Sequence, residues 1–456
     1  MKKMNKTEAD VIVIGGGISG ALAAISAGRA GRRVLLVERY GFLGGMLTAG
    51  GVGPMMTFHT GDTQLVRGLN GELIERLKQN GGSPGHLFDT TGYTFSVTPF
   101  DAESMKLELD RMCREAGVRV LFHAQLTGCR KEHDRIRSVT VQSGAHTLEI
   151  TGNVFIDATG NADLSVLAGA PTAKGRPEDG KCQPMTMNLK LYNVDIFVVR
   201  RYIHDHPEDF PMLKGDTSII DNAPRLSTGG FVSLLQKARE KGEISFPREC
   251  VLFFETANPG EVIVNTSRIA ELDPTDPFDV SEAERIGREQ ARELMDFVHR
   301  YMPGFENAKL AFTGPEIGRR SSRQLKGAYT LKVQDILGAA KFPDAIACNA
   351  YPVDIHSPTG DPKGNLHGHL QAGEYYTIPY RTMYTPEIKN LLVAGRAISS
   401  DFVAQAAFRT TPCAGAIGHA AGAAAALAAE NGDVTCLEYA RLRELLLEQG
   451  AFLPPA

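Results

Sequence analysis

Three short segments of this 456-residue chain gather side chains able to move protons or hold anions. Gly318-Arg-Arg-Ser-Ser-Arg-Gln-Leu-Lys-Gly327 carries Arg320 and Arg323, and Tyr351-Pro-Val-Asp-Ile-His356 carries a phenol, a carboxylate and an imidazole. The third segment is Tyr380-Arg381, followed further on by Arg409. His356 has a side chain that titrates near neutrality and Tyr351 has a hydroxyl proton, so either suits general acid–base work. A planar guanidinium grips a carboxylate through two parallel N–H···O bonds, the part Arg320, Arg323 or Arg409 would play toward an anionic substrate. Each has a plainer alternative. Arg320 and Arg323 would pair with acids such as Glu316 or Asp354, and His356 would cap a turn before Pro358. His59 is a weaker acid–base candidate.

Two further spacings, His204-Asp-His206 and His367-Gly-His369, lack the other ligands of a metal site, and no metal is expected there. Seven cysteines are scattered along the chain without a Cys-x-x-Cys pair. That pattern argues against a disulfide scaffold, a zinc ribbon or a cysteine-ligated iron–sulfur cluster, and fits a reducing compartment. Cys413, at a tight helix start, reads as a packed thiol ahead of a redox-active one, and Cys182 is another unpaired candidate that no neighbouring motif supports.

Such groups need a scaffold, and the first part of it stands near the start. Val11-Ile-Val-Ile14 is β-branched throughout, as in a strand buried on both faces. Gly15-x-Gly17-x-x-Gly20 follows, then a helical run from Ala21 to Gly31, then a second strand, Arg33–Val37, ending at Glu38. Gly15 permits a tight turn, Gly17 lets a pyrophosphate approach the backbone, and Gly20 lets helix pack on strand. Ile18 and Ser19 open the helix, whose N–H groups and positive dipole end face the phosphates. Glu38 is placed to accept hydrogen bonds from a ribose diol. The loop beyond it, from Arg39 through Gly44, Gly45, Met46 and Thr48 to Gly50-Gly51, suits a second layer of backbone around a ligand longer than a nicotinamide dinucleotide.

With these residues the sequence resembles the FAD-dependent oxidoreductases of the glutathione-reductase-like superfamily, and more narrowly a bacterial family related to fumarate-reductase-type flavoproteins. The resemblance implies FAD as cofactor and spans the chain. Val118–Gln125 reads as a strand after the helix Ala102–Glu115, and in the resembled family its end, here Gln125, pairs with adenine. Val154-Phe-Ile-Asp-Ala-Thr-Gly160 matches an Ala-Thr-Gly motif, at which Ala158, Thr159 and Gly160 would pass the ADP half. Ile388–Ser399 reads as the last strand of the same sheet, delivering Gly395 and Arg396 to the pyrophosphate. The small-residue helix from Thr411 to Gly422, with proline in its first turn, would point Ala416 and Ile417 toward the flavin. Arg320 and Arg323 fit the family's Gly-x-Arg-x-x-Arg pattern, and Tyr351 and His356 its Tyr-Pro-x-Asp-x-His.

The fold class expected is α/β: a discontinuous Rossmann-like FAD-binding domain of the glutathione-reductase type, residues 1–171 and 388–456, with an inserted α+β substrate domain at 172–387. Within the insert, Met185–Asn193, Val251–Glu255 and Glu261–Ser267 read as strands. Ser281–Tyr301 reads as an amphipathic helix with Ser281 as N-cap and Glu284 completing a capping box.

No second strand–GxGxxG–helix unit and no redox cysteine pair occurs. Electrons would therefore pass to or from a small-molecule substrate, a carboxylate if the arginines clamp it, or an electron partner that reaches the flavin directly. The leading expectation is hydride transfer between flavin N5 and a small organic substrate, as a dehydrogenase or an ene-type reductase. A flavin monooxygenase or oxidase, and a non-catalytic electron-relay subunit, are the alternatives. A net charge of −4 carries no nucleic-acid footprint. Glu8 and Asp10 interrupt the basic, apolar start, so neither a signal peptide nor a membrane span is expected, and a cytoplasmic location is. The oligomeric state is left open.

Overall fold

The computed structural model describes residues 7–455, so the basic start, Met1 to Lys6, lies outside the described residues. The strand Glu8–Ile14 is the centre of a seven-stranded sheet. On one side it pairs in parallel with Val34–Val37, Val11 facing Val34, and on the other with His146–Asp157, Val11 facing Val154. All these inner positions are apolar because both sheet faces are covered, which is why this stretch shows no alternation.

The strand His146–Asp157 has two neighbours on its outer side. Its first half pairs antiparallel with Arg135–Ser143, and its second half pairs in parallel with Leu391–Val393, Phe155 facing Leu391. Asn390 fixes the junction: its side chain accepts from the Ile136 amide and donates to the carbonyls of Ile136 and Asn153. The late strand is thus a member of the first sheet, parallel to its neighbour.

Over this sheet lie two helices in close contact, Ile18–Arg29 and Thr411–Ala428. A methyl group added at Gly418 would stand 2.0 Å from the Ser19 carbonyl oxygen, and one at Gly422 would stand 2.0 Å from that of Ala23. Glycine and alanine in the later helix therefore set how near the two backbones come.

A second, five-stranded antiparallel sheet lies within the middle of the chain, in the order Ser227–Gly230, Val251–Glu255, Val262–Val264, Leu189–Tyr192, Lys309–Phe312. It has its own core, including Phe210, Phe231, Phe253 and Phe305. Three expectations shift here. Of Met185–Asn193 only Leu189–Tyr192 is strand; Met185 and Thr186 make single bridges to Ile269 and Gly318. Val118–Gln125 is broken, because His123 takes φ 51° and turns the chain, so Arg119–Leu121 ends one strand and Gln125 opens the next. The long helix begins at Pro277, with Asp276 as N-cap accepting from the amides of Phe278 and Asp279. An aspartate followed by proline outcompetes Ser281, whose hydroxyl instead donates to the Pro277 carbonyl. Among the described residues no helix is long and apolar enough to cross a membrane.

Candidate active site

The first site is a narrow cleft at the carboxyl ends of the parallel strands, the edge at which such sheets bind ligands. Gly15 turns the chain there with φ +98°, and a methyl on it would lie 2.5 Å from the Ala158 carbonyl oxygen. The strand ends can close on one another only because nothing projects from Gly15. Asp157, fully buried, orders the next loop by accepting from Thr159 and Ser165 through both their amides and hydroxyls. Burial pushes its carboxyl up, and these donors offset that. Glu38 accepts from the Tyr40 and Gly16 amides. Burial raises its pKa against the pull of both donors.

Gly15, Gly17, Ile18, Ser19, Glu38, Arg39, Gly45, Met46, Gln125, Ala158, Thr159, Gly160, Gly395 and Arg396 all line this cleft. Five other expected residues do not. Gly20 lies beneath, where a methyl would meet the Gly15 carbonyl oxygen at 1.8 Å. The Gly44 amide donates to Gly16, and the Thr48 hydroxyl donates to the Leu43 carbonyl, so both brace the loop. Ile417 is in the core and Ala416 packs against it; the residues of that helix that line the cleft are Thr411 and Ala414, one turn nearer its start.

Beside the cleft is a larger cavity of about 640 Å³. The two share Met46, Arg319, Arg396, Arg409 and Thr411 in their walls. At this seam Arg319 Nε, Arg396 Nε, Arg409 Nε and Thr410 Oγ1 are buried without a partner among the described residues. Arg396 donates to Asn161 Oδ1 at 2.9 Å, and burial draws its pKa down to about 10. Idle donors at the junction, with an open backbone cradle behind them, fit an elongated ligand carrying a polar ring system. The residues present fit FAD.

Around the cavity, Asp354 is the hub. Arg409 Nη2 stands 2.9 Å from its Oδ2, the Tyr351 hydroxyl donates to the same oxygen at 3.2 Å, and His356 Nε2 lies 3.5 Å from it. His367 Nδ1 is 3.5 Å from Oδ1. Burial would raise the Asp354 carboxyl, yet its partners hold it well below the usual carboxylate range. Burial takes His356 down to about 3, against the pull of Asp354. It also keeps the Tyr351 phenol protonated.

Four of the five expected catalytic residues, Arg320, Tyr351, His356 and Arg409, thus share one cavity. Arg323 does not. Its strand, Arg323–Leu325, pairs with Thr172–Lys174, and its side chain turns outward to an ion pair with Asp163 at 3.2 Å. The pairings expected for the arginines also go to other residues: Glu316 takes Arg319 and Arg39, while Asp354 takes Arg409. His59 binds the Ser96 hydroxyl, and Cys413 is wholly buried; neither lines the cavity. Tyr93, Arg248 and Arg268 line it without having been singled out by sequence. His367 and His369 reach it from the short strand Leu366–Gly368, which pairs with Val353–Ile355, and the residue just after it. The Tyr93 ring stands edge-on to Tyr351, His367 and His369.

Several solved structures are similar to the chain over most of its length. They include a geranylgeranyl bacteriochlorophyll reductase-like protein from Thermoplasma acidophilum (12% identity, 97% of this chain and 84% of that one, TM-score 0.46). A flavin-dependent brominase (14%, 96% and 84%, 0.48) and a p-nitrophenol 4-monooxygenase from Pseudomonas putida (12%, 96% and 83%, 0.46) are others. These likenesses are too distant to bear on the chemistry. No curated protein matches the chain. The model of the FAD-dependent oxidoreductase family, by contrast, matches residues 10–446, from the first strand through the last helix. The chain belongs to that family, and FAD is the cofactor of this enzyme.

Proposed function

We propose that the enzyme moves a hydride between FAD and a small organic substrate held in the larger cavity, as a dehydrogenase or an ene-type reductase. The observation that carries this reading is the seam. Cleft and cavity share Met46, Arg319, Arg396, Arg409 and Thr411, so a ring lying across them turns one face toward the Asp354 cluster. Bound FAD supplies the hydride acceptor or donor. The amides of Gly17 to Ser19 at the helix start, the Glu38 carboxylate, the Ala158–Gly160 turn and Gly395-Arg396 would hold it. On this reading residues 1–171 and 388–456 form the FAD-binding domain, and 172–387 form the inserted α+β substrate domain.

The companion proton is exchanged at His356. The ring keeps its proton on Nε2, toward Asp354, and turns Nδ1 to Arg268 Nη2 at 3.5 Å, an assignment made from its partners. Tyr351 and Arg409 fix Asp354, and Asp354 fixes the imidazole. A negatively charged substrate beside the ring would raise its low pKa toward neutrality. Electrons enter or leave through the substrate or a partner that reaches the flavin directly.

The test is anaerobic. Flavin bound to the purified protein should be reduced by a hydroxy- or amino-acid substrate, or flavin reduced with dithionite should be reoxidised by an unsaturated one. His356→Gln should slow this while keeping the flavin. Turnover that consumes molecular oxygen as an obligatory co-substrate would overturn the reading.

A further inference from the structure

Six arginines line the cavity; Arg319 and Arg396 stand at the seam with the cofactor cleft, and two of the other four are already engaged. Arg409 is neutralised by Asp354, and Arg320 Nη1 donates to the Pro184 carbonyl at 2.7 Å and to the Thr186 hydroxyl. The other pair stands elsewhere. Arg248 precedes the strand Val251–Glu255 and Arg268 follows the strand Val262–Val264; these strands are antiparallel neighbours, Phe253 facing Val264, which brings the two arginines to one end of the hairpin.

Both are buried, at 5% and 4% exposure, and neither has an ion pair among the described residues. Glu249 lines the cavity without bonding to either. Arg248 Nη2 reaches only the Asn265 carbonyl, at 3.3 Å, and its Nε has no partner. Arg268 reaches the Gly360 carbonyl at 3.1 Å and His356 Nδ1 at 3.5 Å. Burial and the nearness of Arg248 draw the Arg268 pKa down to about 10. Two buried like charges facing one cavity are costly unless an anion sits between them. The wall they share continues as Met212, Leu252 and Phe254, with Met56 also lining the cavity.

We propose that Arg248 and Arg268 form an anion subsite that takes the carboxylate of a substrate whose remaining body is apolar. The proposal rests on the reading of this cavity as the substrate chamber. Arg268 then sits between the carboxylate and His356, which places the reacting carbon next to the acid–base group. The charged head fixes the substrate at the hairpin end, and the apolar wall supports the body toward the seam.

Benzoate, benzamide and acetate separate the parts of this claim. Each is titrated into the purified holoenzyme while flavin absorbance and thermal melting are followed. Benzoate should bind saturably and raise the melting temperature. Benzamide, its neutral isostere, and acetate, which lacks the ring, should each bind roughly tenfold more weakly or worse. Arg248→Gln and Arg268→Gln should each weaken benzoate by about tenfold while flavin is retained. Equal binding of benzoate and benzamide, or variants within twofold of wild type, would overturn the subsite. Acetate binding as well as benzoate would overturn its apolar half. The wild-type comparison needs no variant to fold, and the melting readout decides even if the flavin assignment itself were to fail.

Discussion

Arg409 and Asp354 meet at 2.9 Å across 55 residues of chain, joining the segment before the long glycine–alanine helix to the strand Val353–Ile355. The same carboxylate holds Tyr351 and His356, so one acid sets the positions of three candidate groups. Asp354→Asn keeps the shape and removes the charge. It should leave Arg409 uncompensated and cost roughly 3–5 kcal/mol, the usual penalty for orphaning a buried ion. Denaturant titration checks this; a loss under 1 kcal/mol with full turnover would show the hub to be dispensable.

Arg320 and Arg323, three positions apart, should respond in opposite ways. Arg323 is partly exposed and bound to Asp163, so Arg323→Gln should cost no more than about 1 kcal/mol and leave activity nearly intact. Arg320 faces the cavity, and Arg320→Gln should lower kcat/KM by roughly 100-fold or more. Steady-state kinetics of both variants decides; equal effects would contradict the placement.

The approach of the two central helices predicts a third result. Gly418→Ala puts a methyl against the Ser19 carbonyl, which should cost about 1–3 kcal/mol by overpacking. Because Ser19 lines the cofactor cleft, flavin affinity should fall with it. Flavin released on ultrafiltration measures this. Unchanged retention would mean that the helices can part without disturbing the cradle.

Acid should destabilise the fold through buried histidines. His419 sits in the glycine–alanine helix with Nε2 2.7 Å from Gln449 Oε1, and burial takes its pKa down to about 4. In an unfolded chain histidine titrates near 6.5. Between those values the unfolded state binds more protons, so stability falls as pH drops from about 6.5 toward 4 and levels off below. The His419 share is roughly 2 kcal/mol by pH 5. His86, lowered to about 4, and His356, lowered to about 3, act in the same direction. Denaturation at pH 7.5 and pH 5 should show the loss, with a smaller one in His419→Gln. A variant with the full wild-type slope would remove His419 from the account.

Much of the cofactor cleft was legible because it is local: strand, glycines, helix and acid follow one another between Val11 and Glu38. The strand at Leu391 was legible for a different reason, since four buried apolar residues ending in glycine make the same pattern at any distance along the chain. The large cavity was less so. Arg248 and Arg268 are isolated in sequence, and only the pairing of Val251–Glu255 with Val262–Val264 brings them to one end. Tyr93 lies in a loop ordered by Asp89, which accepts from Thr91 and Thr94, a feature of hydrogen bonding and not of periodicity. Arg323 misled because a motif records residue type, while strand pairing decides which way a side chain turns.

The pairing of Phe155 with Leu391 has a consequence for how the protein is made. On the ribosome, one edge of the His146–Asp157 strand must wait, uncovered, until the entire intervening sheet and its helices have emerged. The middle sheet, with a core of its own, has time to form first. The cofactor cleft draws its last wall residues from Gly395, Arg396 and the stretch up to Ala414, so it stays incomplete until most of the chain has been made.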